Sequence, residues 1–68
     1  MLVSGNHVKV DVEGLVVDGT VIHNYTGNEK KLVVIEFTYN SQVYQWPFSR
    51  KTGKPYRVKF FKAIKLLI

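Results

Sequence analysis

Between residues 50 and 65 the chain carries Arg50, Lys51, Lys54, Arg57, Lys59, Lys62 and Lys65, seven positive charges with no carboxylate among them. Lysine and arginine in such a tract suit one chemistry above others, the neutralisation of closely spaced phosphates. Each side chain brings a positive charge and several N–H donors, and each phosphate it meets releases counterions. Aromatic residues interleave with the bases at Trp46, Phe48, Tyr56, Phe60 and Phe61, and rings on a basic surface can stack on nucleobases. The rest of the chain sharpens the asymmetry. Residues 1–34 hold three bases against four acids, net −1, whereas residues 35–68 hold seven against one, net +6. A one-ended basic field implies an anionic partner. The same lysines would also keep a final strand soluble and discourage pairing of its edge with other chains.

No other group of residues points to chemistry. His7 and His23 are the only histidines, and neither has a cysteine or second histidine at ligand spacing. No metal or cofactor is therefore expected, and His23 reads as a partly buried strand residue. Ser4, Ser41 and Ser49 fall in loops without the context of an activated nucleophile. Of the clustered acids, Asp11 and Glu13 belong on the outer side of a strand and Asp18 to a turn. A paired-carboxylate site would need a cleft that so small a domain rarely offers. The glycines have turn or bend roles and do not form a phosphate-cradling loop. An enzyme is not expected.

The elements that position the basic tract must come from a small chain. Its 68 residues make one domain, 1–68, that buries only about 60% of its unfolded surface. There is no cysteine, so neither a disulfide nor a thiolate metal site can add stability. The longest apolar run, Leu32-Val33-Val34-Ile35, is four residues, far short of the roughly 20 that a membrane helix needs. The N-terminus lacks a basic start and a long apolar stretch, so no signal peptide and no membrane partner are expected, and the location expected is cytoplasmic.

Strand patterns run through the chain. Val8-Lys9-Val10-Asp11-Val12-Glu13 alternates apolar and charged residues, with Val8, Val10 and Val12 inward. Gly14 interrupts it as a bend or bulge. Asp18-Gly19, between Leu15-Val16-Val17 and Thr20-Val21-Ile22, predicts a type I′ hairpin turn. Thr26-Gly27-Asn28-Glu29 marks a second turn, and a long strand follows over about 31–39. Asn40-Ser41 then reverses the chain, so that Tyr39 faces Gln42, Phe37 faces Tyr44, Ile35 faces Trp46 and Val33 faces Phe48 on one apolar face.

Lys51-Thr52-Gly53 suits a three-residue loop with Gly53 at positive φ. Arg50 then faces Lys54, Phe48 faces Tyr56, Trp46 faces Val58 and Tyr44 faces Phe60, which buries Trp46, Phe48, Tyr56 and Phe60. Asn, which tolerates positive φ, should replace Gly53 at little cost, and a β-branched residue should not. The opposite face would carry Glu36, Thr38, Gln45, Pro47, Arg57 and Lys59, with Val34, Val43 and Phe61. Val8, Val10, Val12, Val17, Val21 and Ile22 would supply the second layer of the core. The tail beyond Phe60 reads as a turn and short strand with Ile64, Leu66 and Ile68 on one side; a short C-terminal helix is the alternative.

Together these elements predict an all-β fold, a small five- to six-stranded SH3-like barrel or strongly bent antiparallel sheet. The order resembles the SH3-like barrels of KOW, Tudor and small chromatin proteins. The string Thr52-Gly53-Lys54-Pro55-Tyr56-Arg57 resembles a turn of small basic archaeal chromatin barrels, over six of 68 residues. The function expected is binding of the nucleic-acid backbone with little sequence preference, through Arg50, Lys51, Lys54, Arg57, Lys59 and Lys62. With most rings assigned to the core, backbone contact is favoured over base stacking. The alternative is a non-enzymatic interaction or accessory module that docks its basic hairpin on an acidic protein surface or pairs an open strand edge. A monomer or weak homodimer is expected, the latter through Leu66-Leu67-Ile68.

Overall fold

The computed structural model describes residues 4–24, 32–57 and 61–67. The expected turn at Thr26-Gly27-Asn28-Glu29, the strand positions Val58, Lys59 and Phe60, and Ile68 lie outside them. Among the described residues five strands form a single antiparallel sheet: β1 His7–Val12, β2 Leu15–Asn24, β3 Leu32–Tyr39, β4 Gln42–Ser49 and β5 Ile64–Leu67. Their spatial order is β4-β3-β2-β1-β5, and the sheet curls strongly into a half-barrel, as expected of a small SH3-like barrel or bent sheet. Among the described residues no helix is long and apolar enough to cross a membrane. The tail is the expected short strand, antiparallel to β1 with Lys9 opposite Leu67 and Val12 opposite Ile64.

The β3–β4 hairpin has the predicted register throughout, from Tyr39 opposite Gln42 to Val33 opposite Phe48. Asn40 and Ser41 take φ of 52° and 63°, the two positive values that a two-residue type I′ turn requires. The preceding hairpin differs from expectation. Asp18 and Gly19 lie inside β2, opposite Lys9 and Val8. The turn is instead Glu13-Gly14, with φ of 52° and 93°, and the Asp11 carboxylate accepts a 2.9 Å hydrogen bond from the Gly14 N–H. Thus Glu13 leaves the strand and Asp18 has no turn role. Gly19 serves packing: a Cβ there would come within 2.8 Å of Ile35 Cγ2. Its lack of a side chain lets β3 close onto β1.

Val10, Val12, Val21, Val33, Ile35, Phe37, Phe48, Ile64 and Leu66 form the buried core, with Val8, Val17, Tyr39, Tyr44, Trp46 and Phe61 packed around it. A shift of register between Val21 and His23 takes Ile22 out of the expected second layer and leaves it exposed; His23, expected to be half-buried, is exposed as well. Trp46 points to the core side opposite Ile35 but is only half-buried, because β4 is an outer strand of the sheet. Phe61, assigned from sequence to the outer face, turns inward. Its ring lies 5.1 Å from that of Tyr44, 5.7 Å from Tyr39 and 6.1 Å from Phe37.

An ion pair crosses the outer surface of β1 and β2. Lys9 donates a hydrogen bond to Asp18 across the strands and forms an ion pair with it. That hydrogen bond, reinforced by the ammonium charge, holds the Asp18 carboxyl below its ordinary value of 3.8. For a carboxyl lowered on folding, the stabilisation is present above the unfolded pKa and disappears as pH falls through the folded one. In a carbon-13 NMR titration, the Asp18 midpoint should therefore lie below the ordinary aspartate value, and Lys9→Gln should return it to the ordinary range. An Asp18 midpoint unmoved by Lys9→Gln would assign the shift to another cause.

Candidate nucleic-acid interface

The loop after β4 places the basic residues, and it is one residue longer than its sequence suggests. The Ser49 N–H donates to the Lys54 carbonyl at 2.8 Å, and the Gly53 N–H donates to the Ser49 carbonyl at 2.9 Å. Ser49 therefore faces Lys54 across four residues, Arg50-Lys51-Thr52-Gly53. Side chains brace the interior: Ser49 Oγ accepts from the Lys51 and Thr52 N–H groups at 3.2 and 3.3 Å, and Thr52 Oγ1 accepts from the Lys54 N–H at 3.3 Å. Serine and threonine hydroxyls commonly satisfy turn N–H groups in this way. The result is a loop whose backbone is tied down while Lys51 and Lys54 remain exposed. Arg50, expected at the exposed tip, is half-buried.

Gly53 has the expected positive φ, 78°, and a further role. It is buried, and its carbonyl accepts a 2.8 Å hydrogen bond from the Leu66 N–H. The loop thereby links β4, at one edge of the sheet, to β5, at the other. A Cβ on Gly53 would lie 2.2 Å from the Leu66 carbonyl oxygen, so the expected tolerance of Asn at this position is overturned. Asn accepts the φ value but still brings a Cβ.

The longer loop also shifts the register beyond it. Pro55, not Tyr56, stands opposite Phe48, and the Tyr56 N–H donates to the Pro47 carbonyl at 2.9 Å. Because side chains alternate along extended chain, a one-residue slip moves a residue to the other face. Tyr56 consequently leaves the core and is 48% exposed. Arg57, also exposed, has a φ of 76°, and its guanidinium carbon lies 5.3 Å from the Tyr56 ring centroid, within the range of a cation–π contact.

The fold divides the basic tract. Arg50, Lys51, Lys54 and Arg57 come together on the loop and the segment following it, and no acidic residue occurs anywhere between positions 37 and 68. Lys62 and Lys65 are exposed but return toward the acidic hairpin. Lys65 stands opposite Asp11 in the β1–β5 register, and the Lys62 N–H donates to Glu13 Oε2 at 2.8 Å. Lys59 lies outside the described residues. Elsewhere among the described residues, Glu36 Oε2 accepts from Gln45 Nε2 at 2.9 Å, and the Glu13 backbone N–H donates to the Ala63 carbonyl at 2.8 Å. Among the described residues no group of three or more His, Cys, Asp or Glu could hold a metal ion.

Sequence reasoning missed Tyr56 as a surface residue and Ser49 and Thr52 as the braces of the loop. The signal was present in Ser49, a hydroxyl residue two and three positions before N–H groups that a turn leaves without strand partners. It marks the start of the loop one residue earlier than Lys51-Thr52-Gly53 alone implies. No protein-family model matches the chain, and no curated protein or solved structure matches it.

Proposed function

We propose that this protein binds the nucleic-acid backbone with little sequence preference, as a non-enzymatic cytoplasmic module that is a monomer or weak homodimer. One observation carries the reading: Arg50, Lys51, Lys54 and Arg57 share a braced loop region in a stretch of sequence that holds no carboxylate. Fixed backbone geometry lowers the ordering cost of binding, and exposed ammonium groups can meet successive phosphates. Backbone contacts fix orientation and carry no base information.

The test is a salt titration of binding to labelled duplex and single-stranded oligonucleotides. Affinity should fall linearly on a log–log plot, with a slope of about −0.9 per phosphate on duplex and about −0.7 on single strands. Replacing Lys51 and Lys54 together by Gln should weaken binding equally for all sequences and flatten the slope by up to about two units. Unaltered thermal unfolding would show that both side chains are dispensable for folding. Absence of oligonucleotide binding even near about 20 mM salt, where such contacts are strongest, would sink the proposal. Binding of an acidic peptide under those conditions would select docking on an acidic protein surface instead.

A further inference from the structure

Tyr56 is the one aromatic side chain among the described residues that sits beside the basic loop and outside the core. We infer that Tyr56 and Arg57 form a stacking platform for an unpaired base, so that the ligand is single-stranded nucleic acid in preference to duplex; this rests on the nucleic-acid reading of the same loop. Tyr56 follows the Phe48–Pro55 bridge, and its own N–H is held by the Pro47 carbonyl at 2.9 Å. Pro55 has a fixed φ, so the backbone that presents the ring is anchored on both counts. The ring nevertheless stays 48% exposed, although the neighbouring aromatics Phe48 and Phe37 are buried.

Arg57 supplies the second component. Its guanidinium lies 5.3 Å from the ring centroid, and its backbone holds a φ of 76°, a conformation that non-glycine residues adopt at a cost and that gathers at binding sites. Planar guanidinium groups and tyrosine rings are both surfaces on which bases stack. In a duplex the base faces are already stacked on one another, and only a single strand can present one. Lys54, one residue before Pro55, and Lys51 are exposed to take the flanking phosphates. A ring beside several cations is the combination by which non-specific single-strand binders work.

The experiment compares fluorescence anisotropy of labelled oligo-dT and of a blunt duplex at one salt concentration, for the wild type, Tyr56→Ala, Tyr56→Leu and Tyr56→Phe. The wild type should prefer oligo-dT. Tyr56→Ala should lose about ten-fold or more on oligo-dT, with duplex affinity and the salt slope unchanged. Tyr56→Leu, which restores apolar bulk without a π face, should lose as much, whereas Tyr56→Phe should bind as the wild type. Matching thermal unfolding of Tyr56→Leu and the wild type guards against a folding defect. Equal binding of oligo-dT and duplex with no effect of Tyr56→Ala would overturn the stacking platform and leave the backbone-binding proposal standing, provided that Lys51→Gln with Lys54→Gln still flattens the salt slope. Full activity of Tyr56→Leu would likewise overturn it. Failure of every oligonucleotide to bind at low salt overturns both.

Discussion

Gly53→Ala is expected to remove a large part of the stability of this domain. Two costs combine at the position. The φ of 78° is one that an L-residue adopts at about 1–2 kcal/mol. The added Cβ would sit 2.2 Å from the Leu66 carbonyl oxygen, and the two backbones cannot separate freely because the Leu66 N–H is bonded to the Gly53 carbonyl at 2.8 Å. Relief of the clash breaks that link between the loop and β5. Forced overpacking typically costs about 1–3 kcal/mol, so the total is about 2–5 kcal/mol. A domain of this size has on the order of 3–10 kcal/mol to lose.

Gly14→Ala supplies the control. Its φ is 93°, yet a Cβ there meets nothing within 4 Å, so only the backbone cost of about 1–2 kcal/mol applies. Urea denaturation followed by circular dichroism measures both. Gly53→Asn should resemble Gly53→Ala rather than the wild type. Equal losses at positions 53 and 14 would mean that φ alone matters and that the approach of Leu66 has no energetic weight.

Phe37→Ala should be comparably severe, at about 3–5 kcal/mol. Phe37 is 2% exposed and sits at the centre of the aromatic cluster. Its ring stacks on Tyr44 at 5.5 Å, meets Phe48 edge-on at 6.4 Å and lies 6.1 Å from Phe61. Truncation opens a cavity among rings drawn from β3, β4 and the segment entering β5, and rigid aromatic neighbours collapse poorly into such a space. Phe37→Leu keeps most of the volume and should cost less than about 1.5 kcal/mol. The urea midpoint of Phe37→Ala should fall far below that of Phe37→Leu. A loss under about 1 kcal/mol for Phe37→Ala, the range of surface substitutions, would remove Phe37 from the centre of the core.

Both positions bear on what could be read without the fold. The Asn40-Ser41 hairpin was legible because everything that sets it is local: two residues able to take positive φ, flanked by runs whose alternation agrees on one apolar face. The alternation of Val8, Val10 and Val12 and the inward pair Ile64 and Leu66 were legible for the same reason. Asp18-Gly19 carried an equally strong local signal, yet it lies within a strand. Turning at Glu13-Gly14 brings Val10 opposite Val17 and Val12 opposite Leu15 and leaves Gly19 where β3 needs the room. Turn propensity amounts to a few tenths to one kcal/mol, and burial of several valines outweighs it.

The basic tract divides along the same line. Its charge, its position after β4 and the presence of a glycine at positive φ follow from residue types alone, since charge and backbone sterics belong to single residues. Three features belong only to the tertiary structure. The loop has four residues because Ser49 and Thr52 brace it. Lys62 and Lys65 return beside Asp11 and Glu13 because β5 pairs with β1. Tyr56 faces solvent because one extra loop residue reverses the alternation beyond it. Each depends on which distant backbone groups pair. A shift of a single residue in that pairing leaves composition and periodicity unchanged and exchanges the inside of the molecule for its surface.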